Sequence, residues 1–208
     1  ETLDAVFLTH PDLDHLGGLM PVIDALDVRS FWVSRKPTSD EQHFRALWLR
    51  AHQQGITAAV FGPGEGTPAT DNDTGLVLTL RHGSHRFLLL GDVGAETETR
   101  LAEHMPSMTV VLVSHHGSKN SSSAALISAA SAQHAVVQAG AMNRYGHPHD
   151  SVIQAWGSDI LLRTDQLGSI RMESDGMGLD IRRWHPQTLW ASVMSHAKGS
   201  VDTTADQS

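Results

Sequence analysis

The chain has 208 residues, 40% of them apolar, which suits one domain with a substantial core. Lys and Arg total 15 against 23 Asp and Glu, a formal net charge of −8 that argues against a nucleic-acid binder working through a broad basic face. A metal-dependent nuclease stays open, because bound divalent cations add positive charge that a residue count misses, whereas the lack of cysteine excludes disulfides and thiolate metal sites.

Glu1 stands where a start methionine would, so the expectation is a trimmed start or one within a longer protein. An apolar run, Ala5 to Leu8, reads as a strand that leads into Thr9-His10-Pro11-Asp12-Leu13-Asp14-His15-Leu16-Gly17-Gly18. Leu16, Leu19, Met20, Ile23 and Leu26 then recur at helical spacing. Phe31 to Ser34 predicts a strand, and Phe44, Leu47, Trp48 and Ala51 predict an amphipathic helix stopped near Gly55. Ala58 to Phe61 is another strand, before a Gly/Pro/Thr/Asp loop from Gly62 to Gly75.

Leu76 to Arg81 and Arg86 to Leu90 form a predicted hairpin around His82-Gly83-Ser84-His85, ending in Gly91-Asp92. The next helix carries Glu96 and Glu98 in its opening turn and Arg100 and His104 later, as the helix dipole favours. Thr109 to Val113 is a buried strand delivering Ser114-His115-His116-Gly117-Ser118. A helix around Ala124 to Ala130 and a strand from Ala135 to Gln138 lead to Gly140 through His149. A helix around Val152 to Trp156, a strand Ile160 to Arg163 and a strand pair (Ser169 to Met172, Leu179 to Arg182) follow. Ser121 to Met142 is too polar to span a membrane, and the tail over 198–208 is expected to be disordered, leaving one domain over 1–197. Alternating strands and helices imply an α/β layered fold with its polar clusters at strand ends.

The opening loop holds two imidazoles and two carboxylates in six positions, H-x-D-x-D-H. That exceeds what one tetrahedral ion needs from one turn and reads as half of a two-metal site; imidazole suits zinc, and the carboxylates pull towards manganese. The alternative, Asp14 as a helix cap, explains one carboxylate and neither histidine. Asp92 leaves a buried strand after a glycine, where it can bridge two metals or cap the next helix. Of His115 and His116, one imidazole can face the metals while its neighbour points away. His147, before Pro148, has an extended backbone bias that holds one orientation, and His149 is a surface or supporting residue. Four other histidines, His43, His52, His82 and His85, read as exposed.

Taken together, H-x-D-x-D-H-x-G-G, L-L-L-G-D, S-H-H-G-S and N-R-Y-G-H-P resemble the metallo-β-lactamase fold. More narrowly they resemble the C-terminal domain of the ComEC family of DNA-internalisation competence proteins, from about Leu3 to Arg182. The resemblance implies an αββα sandwich with two divalent ions, manganese or zinc. His10 and Asp12 match the first-metal ligands, Asp14 and His15 the second-metal ligands, Asp92 the bridging carboxylate and His147 the last ligand histidine. His115 or His116 matches the histidine beside the scissile phosphate in related nucleases. Asn72 falls near a position that often carries another ligand histidine. Only about nine residues precede the loop, so the first strands of that fold are expected to be missing.

The function so implied is phosphodiester hydrolysis on single-stranded DNA during uptake. Asp14 would orient the attacking water, and His115 or His116 would protonate the leaving oxygen, imidazole being a side chain suited to proton transfer near neutral pH. Arg144, Lys119 and the hydroxyls of Ser121, Ser122 and Ser123 are candidate phosphate contacts, Asn143 and Ser118 are further substrate-binding candidates, and Tyr145 is a candidate for stacking on a base. The expected setting is a soluble domain on the extracytoplasmic side of a bacterial inner-membrane protein, beside a membrane channel region absent here. Two alternatives remain at this point: a small-ester hydrolase of the same fold, and a non-catalytic module of a DNA transporter.

Overall fold

The structure, a computed structural model, describes residues 1–60 and 75–184. The first half runs β1 (Thr2–Leu3), β2 (Val6–Leu8), α1 (Leu13–Leu16), α2 (Leu19–Ala25), β3 (Asp27–Val28), β4 (Ser30–Val33), α3 (Gln42–Gln53) and β5 (Thr57–Val60). The second begins with β6 (Leu78–His82), β7 (His85–Leu89), α4 (Ala95–Ala102) and β8 (Val110–Leu112), then a 3-10 turn over Ser114–Gly117 and α5 (Ala124–Ala130). It ends with β9 (His134–Val137), α6 (Asp150–Trp156), β10 (Leu161–Arg163), α7 (Thr164–Leu167), β11 (Ser169–Ser174) and β12 (Leu179–Trp184). Asn72 and the expected tail lie outside the described residues.

The predicted mixed α/β fold is present. A parallel three-stranded sheet has the order β2-β4-β5, and a five-stranded sheet has the order β10-β9-β8-β7-β6, parallel except for the β6–β7 hairpin. Parallel strands buried on both faces read as unbroken apolar runs, as Val110-Val111-Leu112 does. One face of the larger sheet, through Leu88, Val111, Ala135 and Leu161, packs on α4, α5 and α6 through Leu101, Leu126 and Trp156. Its other face, through Val110, Val136 and Leu162, lies under Ile170, Met172, Leu179 and Ile181 of the β11–β12 hairpin. In the smaller sheet Leu8, Phe31 and Val33 pack on Ile23 of α2 and on Phe44 and Leu47 of α3. Burying one such large side chain contributes about 1.5–3 kcal/mol.

Three local expectations change. The single helix expected after the opening loop is two, broken at Gly17-Gly18, because glycine is a poor helix former. As α1 starts at Leu13, Asp14 and His15 sit on a helical turn. His85 is buried rather than exposed; its Nδ1 lies 2.7 Å from Ser174 Oγ, beside the Ser84 N–H that donates to Gly176 O at 2.7 Å. Glu98 is fully buried, and its carboxylate accepts from the backbone N–H groups of Ser122 (2.9 Å) and Ser123 (2.5 Å) at the start of α5. It therefore serves the neighbouring helix, and burial pushes its carboxyl pKa up despite those two bonds. Among the described residues no helix is long and apolar enough to cross a membrane.

Candidate metal centre

Four strands deliver the polar clusters from their C-terminal ends: β2 into His10, β7 into Asp92, β8 into His115 and His116, and β9 into the loop that carries His147. The segment that enters β6 is tied to the end of the first of these, where Leu76 N–H donates to Thr9 O at 3.0 Å. Capping accounts for neither carboxylate in question. Asp14 lies inside α1, whose cap residue Asp12 makes no side-chain bond to the helix, and Gly94 rather than Asp92 caps α4.

Asp92 is the centre of the arrangement. One of its oxygens, Oδ2, is 3.6 Å from His10 Nε2, and the other, Oδ1, is 3.5 Å from His15 Nε2. His10 is buried, His15 is largely so, and their ring centroids are 3.9 Å apart. Both Nε2 atoms are buried without a hydrogen-bond partner among the described residues. A buried polar atom left unpaired costs about 1–3 kcal/mol. Two of them facing the two oxygens of one buried carboxylate are the donor set that a divalent cation satisfies.

Among the described residues two groups of ligand atoms each fall within 4.8 Å of one another: His10, His15 and Asp92 on the inside, and Asp14, His15 and His116 towards the surface. Asp12 extends the inner group, its Oδ2 lying 3.7 Å from His10 Nε2. In the outer group His116 Nδ1 lies 2.9 Å from Gln138 O, an acceptor only, so that nitrogen carries a proton. Its Nε2 is then directed at Asp14 Oδ2, 3.2 Å away, and only a proton or a cation can sit between them.

Burial pushes the His10 pKa down, and His15 beside it adds to that fall. Burial opposes charge on His15 too, but the nearby carboxylate of Asp92, with those of Asp14 and Asp12, carries its pKa above the ordinary value. Burial alone would raise the Asp92 pKa; His15, His10 and His116 hold it below the usual carboxylate range. The site therefore presents an ionised carboxylate between imidazoles that cannot all be charged.

The sequence suggested that one of His115 and His116 would point away. Instead both face Asp92, their Nε2 atoms 4.0 and 3.9 Å from its Oδ2. Neighbouring side chains of an extended strand go to opposite faces. Here His115 (φ 50°), His116 (φ 52°) and Gly117 (φ 78°) form a left-handed turn that turns both rings the same way. Left-handed backbone at a residue other than glycine costs about 1–3 kcal/mol and collects at functional sites.

His147 stands outside both ligand groups. Its ring packs edge-on to His115 at 6.2 Å and stacks on Tyr145 at 5.8 Å, and burial followed by His115 and His116 lowers its pKa. The side chains of Asn143 and Ser118 are occupied in the loops' own scaffold. Asn143 Nδ2 donates to Gly140 O and His147 O, and its Oδ1 accepts from His147 N–H; Ser118 is buried, its Oγ accepting from Asn120 N–H. The hydroxyls of Ser121, Ser122 and Ser123 are likewise bonded to Ser118 O, Trp156 Nε1 and Leu126 N–H. His149 caps α6. Arg144 and Tyr145 are exposed, the guanidinium bonded to the phenol oxygen. Sequence reasoning missed Thr9, whose hydroxyl lies 3.1 Å from His10 Nδ1 and 3.2 Å from His15 Nδ1.

The model of the Metallo-beta-lactamase superfamily matches residues 1–140. The chain is 31% identical over 189 residues to ComE operon protein 3 of Bacillus subtilis (strain 168), covering 81% of this chain and 24% of that protein. It is 30% identical over 154 residues to Recombination protein 2 of Haemophilus influenzae, covering 73% and 20%. It is 29% identical over 187 residues to Competence protein ComA of Neisseria gonorrhoeae, covering 87% and 27%. The chain thus spans between 20% and 27% of the length of these relatives.

Proposed function

The chain belongs to the metallo-beta-lactamase superfamily, and from that premise we propose that it is a metal-dependent phosphodiester hydrolase acting on DNA during DNA uptake. The observation that carries the chemistry is the pair of unpartnered, buried Nε2 atoms of His10 and His15 facing the two oxygens of Asp92. The direction of the substrate assignment comes from relatives named for competence and recombination.

His10, Asp12 and Asp92 would hold one divalent ion, and Asp14, His15 and His116 a second. Such ions, manganese or zinc, lower the pKa of a water towards neutrality and offset charge on phosphate oxygens. The chain's own groups supply the proton traffic. Asp14, two-thirds exposed at the mouth of the site, orients the attacking water and accepts its proton. As that oxygen bonds to phosphorus and the ester P–O bond breaks, the leaving oxygen takes a proton from His115. The His115 ring makes no hydrogen bond among the described residues, whereas His116 is held by Gln138 O and Asp14.

His147 backs His115 and carries Tyr145, so a strand lying over Tyr145 and Arg144 is led towards the centre; this assigns the substrate contacts to Arg144 and Tyr145. In the longer protein this domain would sit beside a membrane-embedded channel on the extracytoplasmic side. The test is labelled single-stranded DNA with manganese or zinc, using the chain and its Asp14→Ala variant. Cleavage by the former and not the latter is expected. Metal uptake without cleavage would move the reading to a small ester substrate or a non-catalytic module.

A further inference from the structure

Thr9 follows β2 directly and is half-buried against the loop that brings in Asp92. A Cβ placed on Gly91 would lie 3.2 Å from Thr9 Cβ and 3.4 Å from its Cγ2 methyl, so the hydrocarbon side of Thr9 faces that turn. Its hydroxyl lies on the imidazoles, 3.1 Å from His10 Nδ1 and 3.2 Å from His15 Nδ1. The two rings that share this one oxygen are the two whose Nε2 atoms are buried without a partner.

A neutral imidazole has one N–H and one lone pair, and a ring binds a metal only through the nitrogen that carries the lone pair. For His10 and His15 to offer Nε2, both must carry the proton on Nδ1. A hydroxyl oxygen has two acceptor lone pairs, enough to receive both N–H groups at once. A backbone carbonyl would also accept, and His116 uses one in Gln138 O. His10 and His15 are five positions apart, one in the loop after β2 and the other in α1, yet they share a single side chain.

We propose that Thr9 is a positioning residue that fixes the metal-binding tautomer of His10 and His15 together, so that the affinity of both ligand groups depends on one hydroxyl. The inference rests on the metal-centre reading above and goes beyond it in naming what orients the ligands. It has a consequence for how affinity is lost. His10 belongs to the inner group and His15 to both, so removing the hydroxyl weakens both metal equivalents rather than one.

Thr9→Val tests this, because valine keeps the branched shape against Gly91 and deletes only the hydroxyl, and Thr9 O still accepts from Leu76 N–H. Thr9→Ser restores the hydroxyl. Zinc affinity is measured by competition with a chelating dye, and the tautomer of each ring by long-range proton–nitrogen NMR on the metal-free chain. Loss of an outer-shell partner of a ligand histidine costs about 10–100-fold in affinity; that loss is expected for both equivalents in Thr9→Val, with recovery in Thr9→Ser and a shift of the His10 and His15 rings away from the Nδ1–H tautomer. Wild-type affinity with unchanged tautomers in Thr9→Val overturns the proposal. A loss confined to one equivalent overturns the shared role. Because no DNA is present, a wild-type chain that binds zinc but leaves DNA intact overturns the nuclease reading alone, and the valine comparison still decides this one.

Discussion

Gly117 lies directly against Pro148. A Cβ on Gly117 would fall 2.6 Å from the proline Cβ, and the Gly117 carbonyl accepts from His149 N–H at 2.8 Å. This contact keys the loop after β8 to the loop after β9, and so locks the His115–His116 turn to the segment that carries His147. Gly117 also has φ +78°, which a side chain disfavours. Gly117→Ala is therefore expected to destabilise the chain by about 2–3 kcal/mol, combining strain with overpacking. Urea denaturation reads this as a fall in the midpoint, and metal uptake should fall with it. An unchanged midpoint would show that the two loops are not keyed there.

Asp92→Asn keeps the shape of the side chain and removes the charge that His10 and His15 face. Metal affinity is expected to fall by more than the roughly 100-fold upper end seen for outer-shell partners. DNA cleavage should be lost with it. Isothermal titration with zinc or manganese checks the first part, and near-wild-type affinity would remove Asp92 from the centre of the site.

Metal removal should also show as lost stability. A ligand held only by the folded state adds about 2.7 kcal/mol at a concentration 100 times its dissociation constant. For a chain of this size that corresponds to roughly 5–10 °C in melting temperature. Differential scanning with zinc against chelator measures it; coincident melts at saturating zinc would contradict a preformed site.

Away from the site, Arg35 forms a two-bond pair with Glu41, at 2.8 and 2.6 Å. Arg35 is the main cause, with Thr38 helping, of a Glu41 pKa lowered to about 2 from 4.5. A carboxyl with a depressed folded-state pKa adds stability above its unfolded pKa and loses it as pH falls through the folded one. The gap in melting temperature between the chain and Glu41→Gln should thus be full above pH 4.5 and close as the pH approaches 2. The pair is near the surface, so the stability difference behind the full gap is expected to be about 0.5–1 kcal/mol and smaller in high salt. A gap that widens on acidification would reverse the assignment.

Arg144 and Tyr145 should separate in binding experiments. Tyr145→Ala is expected to weaken single-strand binding by about 1–3 kcal/mol at any salt concentration, the value of one aromatic–base stack. Arg144→Ala should lower the slope of log affinity against log salt by about 0.7, one phosphate contact on a single strand. Fluorescence anisotropy over a salt series measures both, and two unchanged curves would move the substrate path elsewhere.

That the polar clusters sit at strand ends was legible in the sequence, because each apolar run gives way within a few residues to His, Asp or Gly, and strand ends are where the chain can leave a sheet. What those side chains face was less legible. Strand alternation would send His115 and His116 apart; a left-handed turn, which needs the contact of Gly117 with a residue 31 positions on, brings them together. Glu98 had the signature of a helix-dipole residue of α4, but its carboxylate reaches the amides of another helix, a tertiary contact that no local pattern encodes. Asn143 looked like a substrate contact because it neighbours Arg144 and Tyr145. Its amide instead holds the backbone around His147.

The β11–β12 hairpin bears on how the chain is made. It roofs the face of the larger sheet that holds Val110, Val136 and Leu162, and its turn is fastened to the β6–β7 turn through Ser84 and Gly176, residues 92 positions apart. At a synthesis rate of about 5–20 residues per second, the strands leave the ribosome roughly 1–14 seconds before their roof does. Through that interval an apolar sheet face stands open to any other nascent chain, and a chaperone that shields it until Ile181 has emerged would decide how much of the protein escapes aggregation.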